Sequence, residues 1–180
     1  MLNRLFATDD SIPVAILRLV LGVVFFAHGA QEMLGWFGGF GVSGTVGYMN
    51  SMLHIPRPLA FLAICAEFFG SIGLILGFLT RIAALGIATN MLVAIWTVHR
   101  SVGFFMNWSG MQKGEGFEYH LLVLAIAGFL IIRGGGAFSV DGAIANASSS
   151  PPRQPRLARR GWRGRTGDVR QAVRHRSAAR

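Results

Sequence analysis

Four long apolar segments separated by short polar or glycine-rich stretches dominate the chain. They cover about residues 12–33, 58–79, 82–99 and 118–132. These runs are continuous and too long for β-strands, so they predict helices. At a rise of ~1.5 Å per residue, a run of about 20 residues spans about 30 Å, which is the thickness of the hydrocarbon core of a bilayer. The pattern therefore predicts an all-α protein, a four-helix transmembrane bundle within residues 1–142.

The loop between the first two predicted helices is rich in glycine and aromatic residues. A G-x-G-x-x-G motif begins there at Gly39. Because the flanking strand and helix of a dinucleotide-binding unit are missing, we do not interpret the motif as a nucleotide site. A glycine-rich turn explains it better, with Trp36 and Phe37 at the level of the lipid head groups and a short helix over residues 46–53.

Composition supports a membrane protein whose first partner is the lipid bilayer. Hydrophobic residues make up 52% of the chain and charged residues 14%, and the mean hydropathy is +0.49. Soluble domains carry about 25% charged residues. The net charge of +9 does not belong to this apolar part, because residues 1–150 hold seven basic and seven acidic side chains.

The positive charge is confined to the end of the chain, where residues 151–180 contain ten arginines and one aspartate. Such a composition predicts a disordered basic tail, which we place at residues 143–180. The tail either binds anionic lipid head groups or is a readthrough extension without a role. Apart from Trp162 no aromatic residue is interleaved with the arginines, so no nucleic-acid partner is expected.

Four crossings place both termini on the same side of the membrane. The loops on the two sides carry equal numbers of basic residues, so only the arginine-rich tail decides the orientation under the positive-inside rule. It favours a multi-pass protein of the bacterial inner (plasma) membrane with both termini in the cytoplasm.

Two charged residues interrupt the apolar segments, Arg18 in the first and Glu67 in the second. A charge at the centre of a bilayer costs about 2–3 kcal/mol on insertion scales, so such residues are usually paired or functional. We predict that Arg18 and Glu67 form an intramembrane charge pair, provided that the helices are tilted or staggered enough to bring them together.

Several further polar residues are expected near one end of the bundle, the end where the first helix finishes. Together with Glu67 they are the candidates for ligand binding or proton relay: His28, Gln31, Glu67, His99, Glu118 and His120. Three interpretations remain open. The set is structural, or it forms a pocket for a quinone or another small molecule walled by Phe104 and Phe105. The third interpretation, a metal site with Glu32, is the weakest because the spacing is scattered, and we predict no metal.

A series of short motifs resembles the DoxX family of small bacterial membrane proteins. The resemblance extends over residues 10–141 and is carried by Arg18-Leu-Val-Leu-Gly22, His28-Gly-Ala-Gln31, Gly35-Trp-Phe-Gly-Gly39, Glu67-Phe-Phe-Gly70, Leu79-Thr-Arg-Ile-Ala-Ala84, Met91-Leu-Val-Ala-Ile95, Thr97-Val-His99 and Gly116-Phe-Glu-Tyr119. It implies a four-helix membrane bundle. Some relatives are subunits of a thiosulfate:quinone oxidoreductase, and others are associated with oxidative-stress complexes.

The resemblance implies two classes of function for this chain and leaves open whether it is an enzyme. In the first it is a membrane subunit of a redox or oxidative-stress complex, with quinone as the candidate cofactor and other redox subunits as partners. In the second it is a non-catalytic bundle for small-molecule binding, transport or scaffolding. Homo-oligomerisation is compatible with both.

The cysteine content restricts the redox chemistry of the chain. Cys65 is the single cysteine, so the chain has no C-x-x-C pair, and no haem or iron–sulfur pattern occurs. A redox role would therefore need a partner that carries the remaining chemistry.

Overall fold

The computed structural model of the protein describes residues 5–149, and within that range every regular element is helical. The predicted arginine-rich segment lies outside the described residues. Two 3₁₀ turns cover Trp36–Gly38 and His99–Ser101. The α-helices are α1 (Ile12–Leu34), α2 (Gly41–Ser51), α3 (Arg57–Leu76), α4 (Thr80–Thr97), α5 (Glu118–Arg133) and α6 (Val140–Ser149).

Helices α1, α3, α4 and α5 correspond to the four apolar segments, and each helix end lies within three residues of its expected position. Three of them, α1, α3 and α4, are long and apolar enough to cross a membrane. The fourth, α5, has 16 residues and falls short of a full crossing.

Two segments differ from the expectation. The short helix expected over 46–53 begins five residues earlier, as α2. Residues 143–149, expected at the start of a disordered tail, are instead part of helix α6. The apolar pattern missed α6 because its first turn is anchored by a polar contact, in which the Asp141 backbone N–H donates to Gly77 O at 2.9 Å.

Glycines in the left-handed conformation end α1 and α3. Gly35 has φ 72° and its N–H donates to Gln31 O at 3.2 Å. Gly77 has φ 67°, which L-residues with a side chain rarely adopt. A Cβ on Gly77 would also lie 2.5 Å from Cβ of Ser139 and 2.8 Å from Nη1 of Arg18. The apolar run continues to residue 79, but the helix ends at 76 because of this glycine.

Helices α1 and α3 pack antiparallel at close range through two glycines of α1. A Cβ on Gly22 would lie 2.9 Å from Ile75, and one on Gly29 would lie 2.7 Å from the backbone of Phe68. Small residues allow this approach of two helix backbones. As a result, a step of about seven residues forward along α1 corresponds to a step of about seven residues backward along α3.

The neighbouring helices continue this antiparallel arrangement. Gly73 of α3 faces Ala83 of α4, and Gly86 of α4 faces Ala66 of α3. Arg81 near the start of α4 contacts the carbonyls that end α5. A buried core joins residues of α1, α3, α4 and α5, including Phe25, Leu74, Ile87, Met91, Val123 and Leu130.

The outer surface of these helices is apolar. Large hydrophobic side chains are more than half exposed on each of them, for example Val23 on α1, Leu62 on α3, Leu85 on α4 and Leu122 on α5. A soluble protein rarely exposes apolar surface of this extent. The arrangement is that of helices whose outer faces contact lipid.

Arg18 is buried in α1, with 1% of its surface exposed, and its guanidinium is surrounded by main-chain carbonyls. Nη1 donates to Leu74 O at 2.5 Å and to Ile75 O at 2.9 Å, and Nε donates to Gly135 O at 2.7 Å. Nη2 donates to two further carbonyls, those of Ala137 and Phe138, at 3.3 and 3.4 Å. The cation therefore satisfies the free carbonyls at the C-terminus of α3, where the helix dipole is negative.

Asp141 makes the complementary contact at the adjacent end of α4. Its carboxylate accepts from the N–H groups of Leu79 and Thr80 at 2.8 and 2.9 Å. Asp141 is 1% exposed and interacts electrostatically with Arg18. One buried cation and one buried anion thus hold the turn between α3 and α4, each at the helix end that favours its charge.

We predict that Arg18→Met lowers the free energy of unfolding in detergent by at least about 3 kcal/mol, because carbonyls buried at the end of α3 lose their donor. Arg133→Met is the matched control. Arg133 forms an exposed ion pair with Asp9, and such pairs contribute about 0–1 kcal/mol. Thermal unfolding followed by circular dichroism measures both changes. Equal, small losses for the two variants would contradict the structural role of Arg18.

Candidate functional site

Glu67 lies on α3 at the level where α1 approaches most closely. A Cβ on Gly29 would lie 3.0 Å from the main-chain carbon of Glu67. The Glu67 side chain is buried, with 8% of its surface exposed. Asn90 of α4 donates to Ala63 O, one turn along α3, at 2.8 Å, and its amide also interacts with the Glu67 carboxyl group. Three helices thus surround this carboxyl group.

Glu32 brings a second carboxyl group to Glu67. It follows Gly29 by three residues on α1, on the same face of the helix, and the two carboxyl groups interact electrostatically. Oε2 of Glu32 is buried and has no hydrogen-bond partner among the described residues. Within residues 5–149 the one ion pair between side chains joins Arg133 to Asp9, so no cationic side chain is paired with either glutamate.

The start of α5 adds Tyr119 and His120 to this region. Tyr119 interacts electrostatically with Glu67, and its hydroxyl is buried without a partner among the described residues. His120 is 7% exposed, and its Nδ1 is also buried without a partner there. The ring centroids of Tyr119 and His120 are 5.8 Å apart. The polar cluster Glu32, Glu67, Asn90, Tyr119 and His120 is called the acidic cluster below.

His99 extends the acidic cluster toward the loop that follows α4. Its ring centroid lies 4.1 Å from that of His120. Nδ1 of His99 is 2.8 Å from Glu115 O. A carbonyl oxygen only accepts, so Nδ1 carries the hydrogen, and in the neutral ring Nε2 is left as an acceptor.

The expected charge pair between Arg18 and Glu67 is not formed. Arg18 lies opposite Leu74 and Ile75, whereas Glu67 lies opposite Gly29. At ~1.5 Å per residue, the seven or eight residues between these levels on α3 correspond to about 11 Å. The antiparallel register of α1 and α3 therefore separates the two charges, and carbonyls rather than Glu67 neutralise Arg18.

Three of the six candidate residues have other contacts. His28 is exposed and its ring lies 6.2 Å from that of Phe25. Gln31 donates to Phe37 O at 3.2 Å. Glu118 accepts from the N–H of Met106 at 2.9 Å and from Nε1 of Trp108 at 3.2 Å. Glu118 therefore holds the loop before α5.

Sequence reasoning did not consider Asn90 or Tyr119 as site residues, and it placed Glu32 at the outer end of the first helix, among the groups that could converge above Glu67 and as a possible metal ligand. Asn90 could have been predicted as a site residue, because it is a polar amide in the middle of an apolar helix. Tyr119 directly follows Glu118 and entered the sequence analysis only as part of the Gly116-Phe-Glu-Tyr119 motif. The convergence of Glu32 with Glu67 depends on helix register, which the pattern of one chain does not encode.

The aromatic wall expected at the site lies elsewhere. Phe104 and Phe105 line a groove of about 560 Å³ with Ser101, Gln112 and Lys113, and no member of the acidic cluster lines it. Within residues 5–149 no three His, Cys, Asp or Glu side chains are arranged to hold a metal ion.

Residues 14–100 match the sequence model of the DoxX family. Inner membrane protein YqjF of Escherichia coli (strain K12) is 29% identical over 132 residues, which cover 73% of this chain and 92% of that protein. The protein named "Putative oxidoreductase CatD" of Bacillus subtilis (strain 168) is 29% identical over 111 residues, 62% of this chain and 72% of that protein. No solved structure matches this chain significantly.

The separation of Arg18 from Glu67 leads to a double-mutant prediction. Arg18→Met should destabilise the protein, whereas Glu67→Gln should leave stability unchanged or raise it, because the neutral amide is not repelled by Glu32. The double variant should equal the sum of the single changes within about 0.5 kcal/mol. Melting in detergent measures the cycle. A coupling energy above about 1 kcal/mol would show that the two residues are paired after all.

Proposed function

Because residues 14–100 of this chain match the sequence model of the DoxX family, we propose that it is a DoxX-type membrane subunit of a redox complex and that it contacts quinone through the acidic cluster. The observation that carries the proposal is that three of the five buried side-chain polar atoms without partners among the described residues belong to the acidic cluster, the other two being Thr80 Oγ1 and Arg81 Nε. The three atoms of the acidic cluster are Oε2 of Glu32, the hydroxyl of Tyr119 and Nδ1 of His120. Buried polar groups in proteins are almost always satisfied, so unsatisfied ones indicate a missing ligand or water.

The residues of the acidic cluster fit the head group of a quinone. A quinone has two carbonyl oxygens that accept hydrogen bonds, and its reduction takes up two protons. The Tyr119 hydroxyl can donate to one oxygen. Two adjacent carboxyl groups in apolar surroundings repel each other when both are ionised, so we expect Glu32 and Glu67 to hold a proton between them. That proton is available for donation to a bound ligand.

The histidine pair offers a route by which the acidic cluster exchanges protons with water. His99 is half-buried in the 3₁₀ turn that follows α4, and His120 is buried beside it. Imidazole both donates and accepts near neutral pH, which suits proton transfer. Electrons would come from a partner subunit, because Cys65 is the single thiol of the chain. The second relative carries an oxidoreductase name, which favours this function over a purely structural bundle.

Quinone binding tests the proposal directly. Tyr119→Phe and Glu67→Gln should each weaken the binding of a short-chain ubiquinone analogue to the purified protein about tenfold, the equivalent of one lost hydrogen bond to a buried group. Tyr48→Phe is the control, because the Tyr48 side chain is half exposed and lies on α2 away from the acidic cluster. Fluorescence quenching measures the affinity.

If Tyr119→Phe and Glu67→Gln bind the analogue as tightly as the unchanged protein, the acidic cluster is not a quinone site. The alternative function, small-molecule binding or transport without electron transfer, would then be tested by counterflow in liposomes.

We further propose that α1, α3, α4 and α5 form a four-helix transmembrane bundle with both termini in the cytoplasm. An even number of crossings supports termini on one side, and the arginine-rich tail favours the cytoplasm. Because α5 is short, it would cross the membrane only if the loops at both of its ends enter the membrane interface.

Two exposed serines at opposite ends of the bundle test this orientation. In a Cys65→Ala background, Ser109→Cys in the loop between α4 and α5 should react with a membrane-impermeant maleimide in intact spheroplasts. Ser148→Cys on α6 should react only after the membrane is opened. Both serines are exposed, so accessibility within the protein is matched. The reverse pattern of labelling would invert the proposed topology.

A further inference from the structure

A groove separate from the acidic cluster lies where α2 meets the start of α3. It has a volume of about 400 Å³. Val42 and Val46 of α2 and Pro58 and Phe61 of α3 form apolar walls. The polar groups of the lining are the Ser43 hydroxyl and the Arg57 guanidinium. An apolar groove with one cation at its edge is suited to an amphiphile that carries negative charge.

Arg57 is the arginine in the described part of the chain that lacks a protein partner. Arg18 and Arg81 donate to main-chain carbonyls, and Arg133 pairs with Asp9. The guanidinium carbon of Arg100 lies 3.9 Å from the centroid of the Trp96 ring. No carboxylate, carbonyl or ring among the described residues occupies the guanidinium of Arg57, so its donors are available for an external anion.

The position of Arg57 along α3 indicates the source of this anion. Arg57 is the first residue of a helix that is long and apolar enough to cross a membrane. A cation at the end of such a helix lies at the level of the lipid phosphates. Leu59 and Leu62, on the same helix α3 as the groove residues Pro58 and Phe61, are more than half exposed and so are available to acyl chains. The cation thus lies where the phosphate of a phospholipid would be, and the apolar walls lie where its acyl chains would be.

We propose that this groove binds an anionic phospholipid. The phosphate accepts hydrogen bonds from the Arg57 guanidinium, whose planar fork matches two phosphate oxygens, and from the Ser43 hydroxyl. One acyl chain lies against Val42, Val46 and Phe61. A net negative lipid such as phosphatidylglycerol is preferred over zwitterionic phosphatidylcholine, because the choline group of the latter compensates the phosphate charge that Arg57 recognises. This site is independent of the proposed quinone function.

Gly47 provides a way to close the groove without disturbing the helix. It lines the groove, and no atom lies within 4 Å of a Cβ added there. Leucine at this position also has a higher helix propensity than glycine. Gly47→Leu is therefore expected to fold and to fill the space that the acyl chain would occupy.

Native mass spectrometry of the full chain in detergent, with added phosphatidylglycerol or phosphatidylcholine, tests the proposal. The unchanged protein should retain one phosphatidylglycerol and release phosphatidylcholine. Arg57→Gln should weaken phosphatidylglycerol retention about tenfold, the loss expected for a charged hydrogen-bond donor. Gly47→Leu should also weaken the retention of phosphatidylglycerol, because the leucine side chain fills the groove without removing a charge. Arg100→Gln, at the same end of the bundle but outside the groove, is the matched control and should behave as the unchanged protein.

Three outcomes would overturn the proposal. The first is equal retention of phosphatidylglycerol by Arg57→Gln and the unchanged protein. The second is an equal loss for Arg57→Gln and Arg100→Gln, which would show that surface charge alone attracts the lipid. The third is retention of phosphatidylcholine as strongly as phosphatidylglycerol by the unchanged protein.

Discussion

The buried guanidinium of Arg18 is the interaction on which the arrangement of the helices depends. A charge in an apolar interior is tolerated only where hydrogen bonds and local dipoles compensate it. Here the compensation comes from carbonyls of Leu74, Ile75 and the segment 135–138. These carbonyls belong to parts of the chain more than 50 residues away from Arg18. The contact therefore ties α1 to the end of α3 and to the segment that leads into α6, and a sliding of α1 along α3 would break it.

The same register determines which residues meet at the other end of α1 and α3. With Arg18 at the level of Leu74, Gly29 lies on the backbone of Glu67 and Phe68, and Glu32 approaches Glu67. The cation that could have neutralised Glu67 is held about 11 Å away by a helix end. Two carboxyl groups are thus left together inside the membrane helices without a cationic side chain. An unneutralised acidic pair is poorly explained by stability alone, because it raises the free energy of the folded state.

The polar groups at the two ends of the bundle differ in what they contact. At the end that contains Arg18, arginines and Asp141 bind the ends of helices through main-chain and side-chain partners, and two buried polar atoms there, Thr80 Oγ1 and Arg81 Nε, lack a partner among the described residues. At the other end, buried polar atoms of Glu32, Tyr119 and His120 lack partners among the described residues. The first end has the features of a structural anchor, whereas the second is the end at which we propose a ligand site.

The sequence by itself determined the class of fold and the chemical types available for function. Runs of apolar residues long enough to cross a bilayer predict helices because their main-chain polar groups must be satisfied within the segment, and α1, α3, α4 and α5 follow these runs. The same runs made Arg18 and Glu67 conspicuous.

Only the tertiary structure decided which groups meet. Arg18 and Glu67 have opposite charges, so the sequence suggested that they pair. The helix register set by close glycine contacts instead places Arg18 beside main-chain carbonyls and Glu32 beside Glu67. The periodic pattern of a helix tells which face is apolar, but sliding one helix along another leaves that pattern unchanged, so the partners of a buried charge are decided by packing.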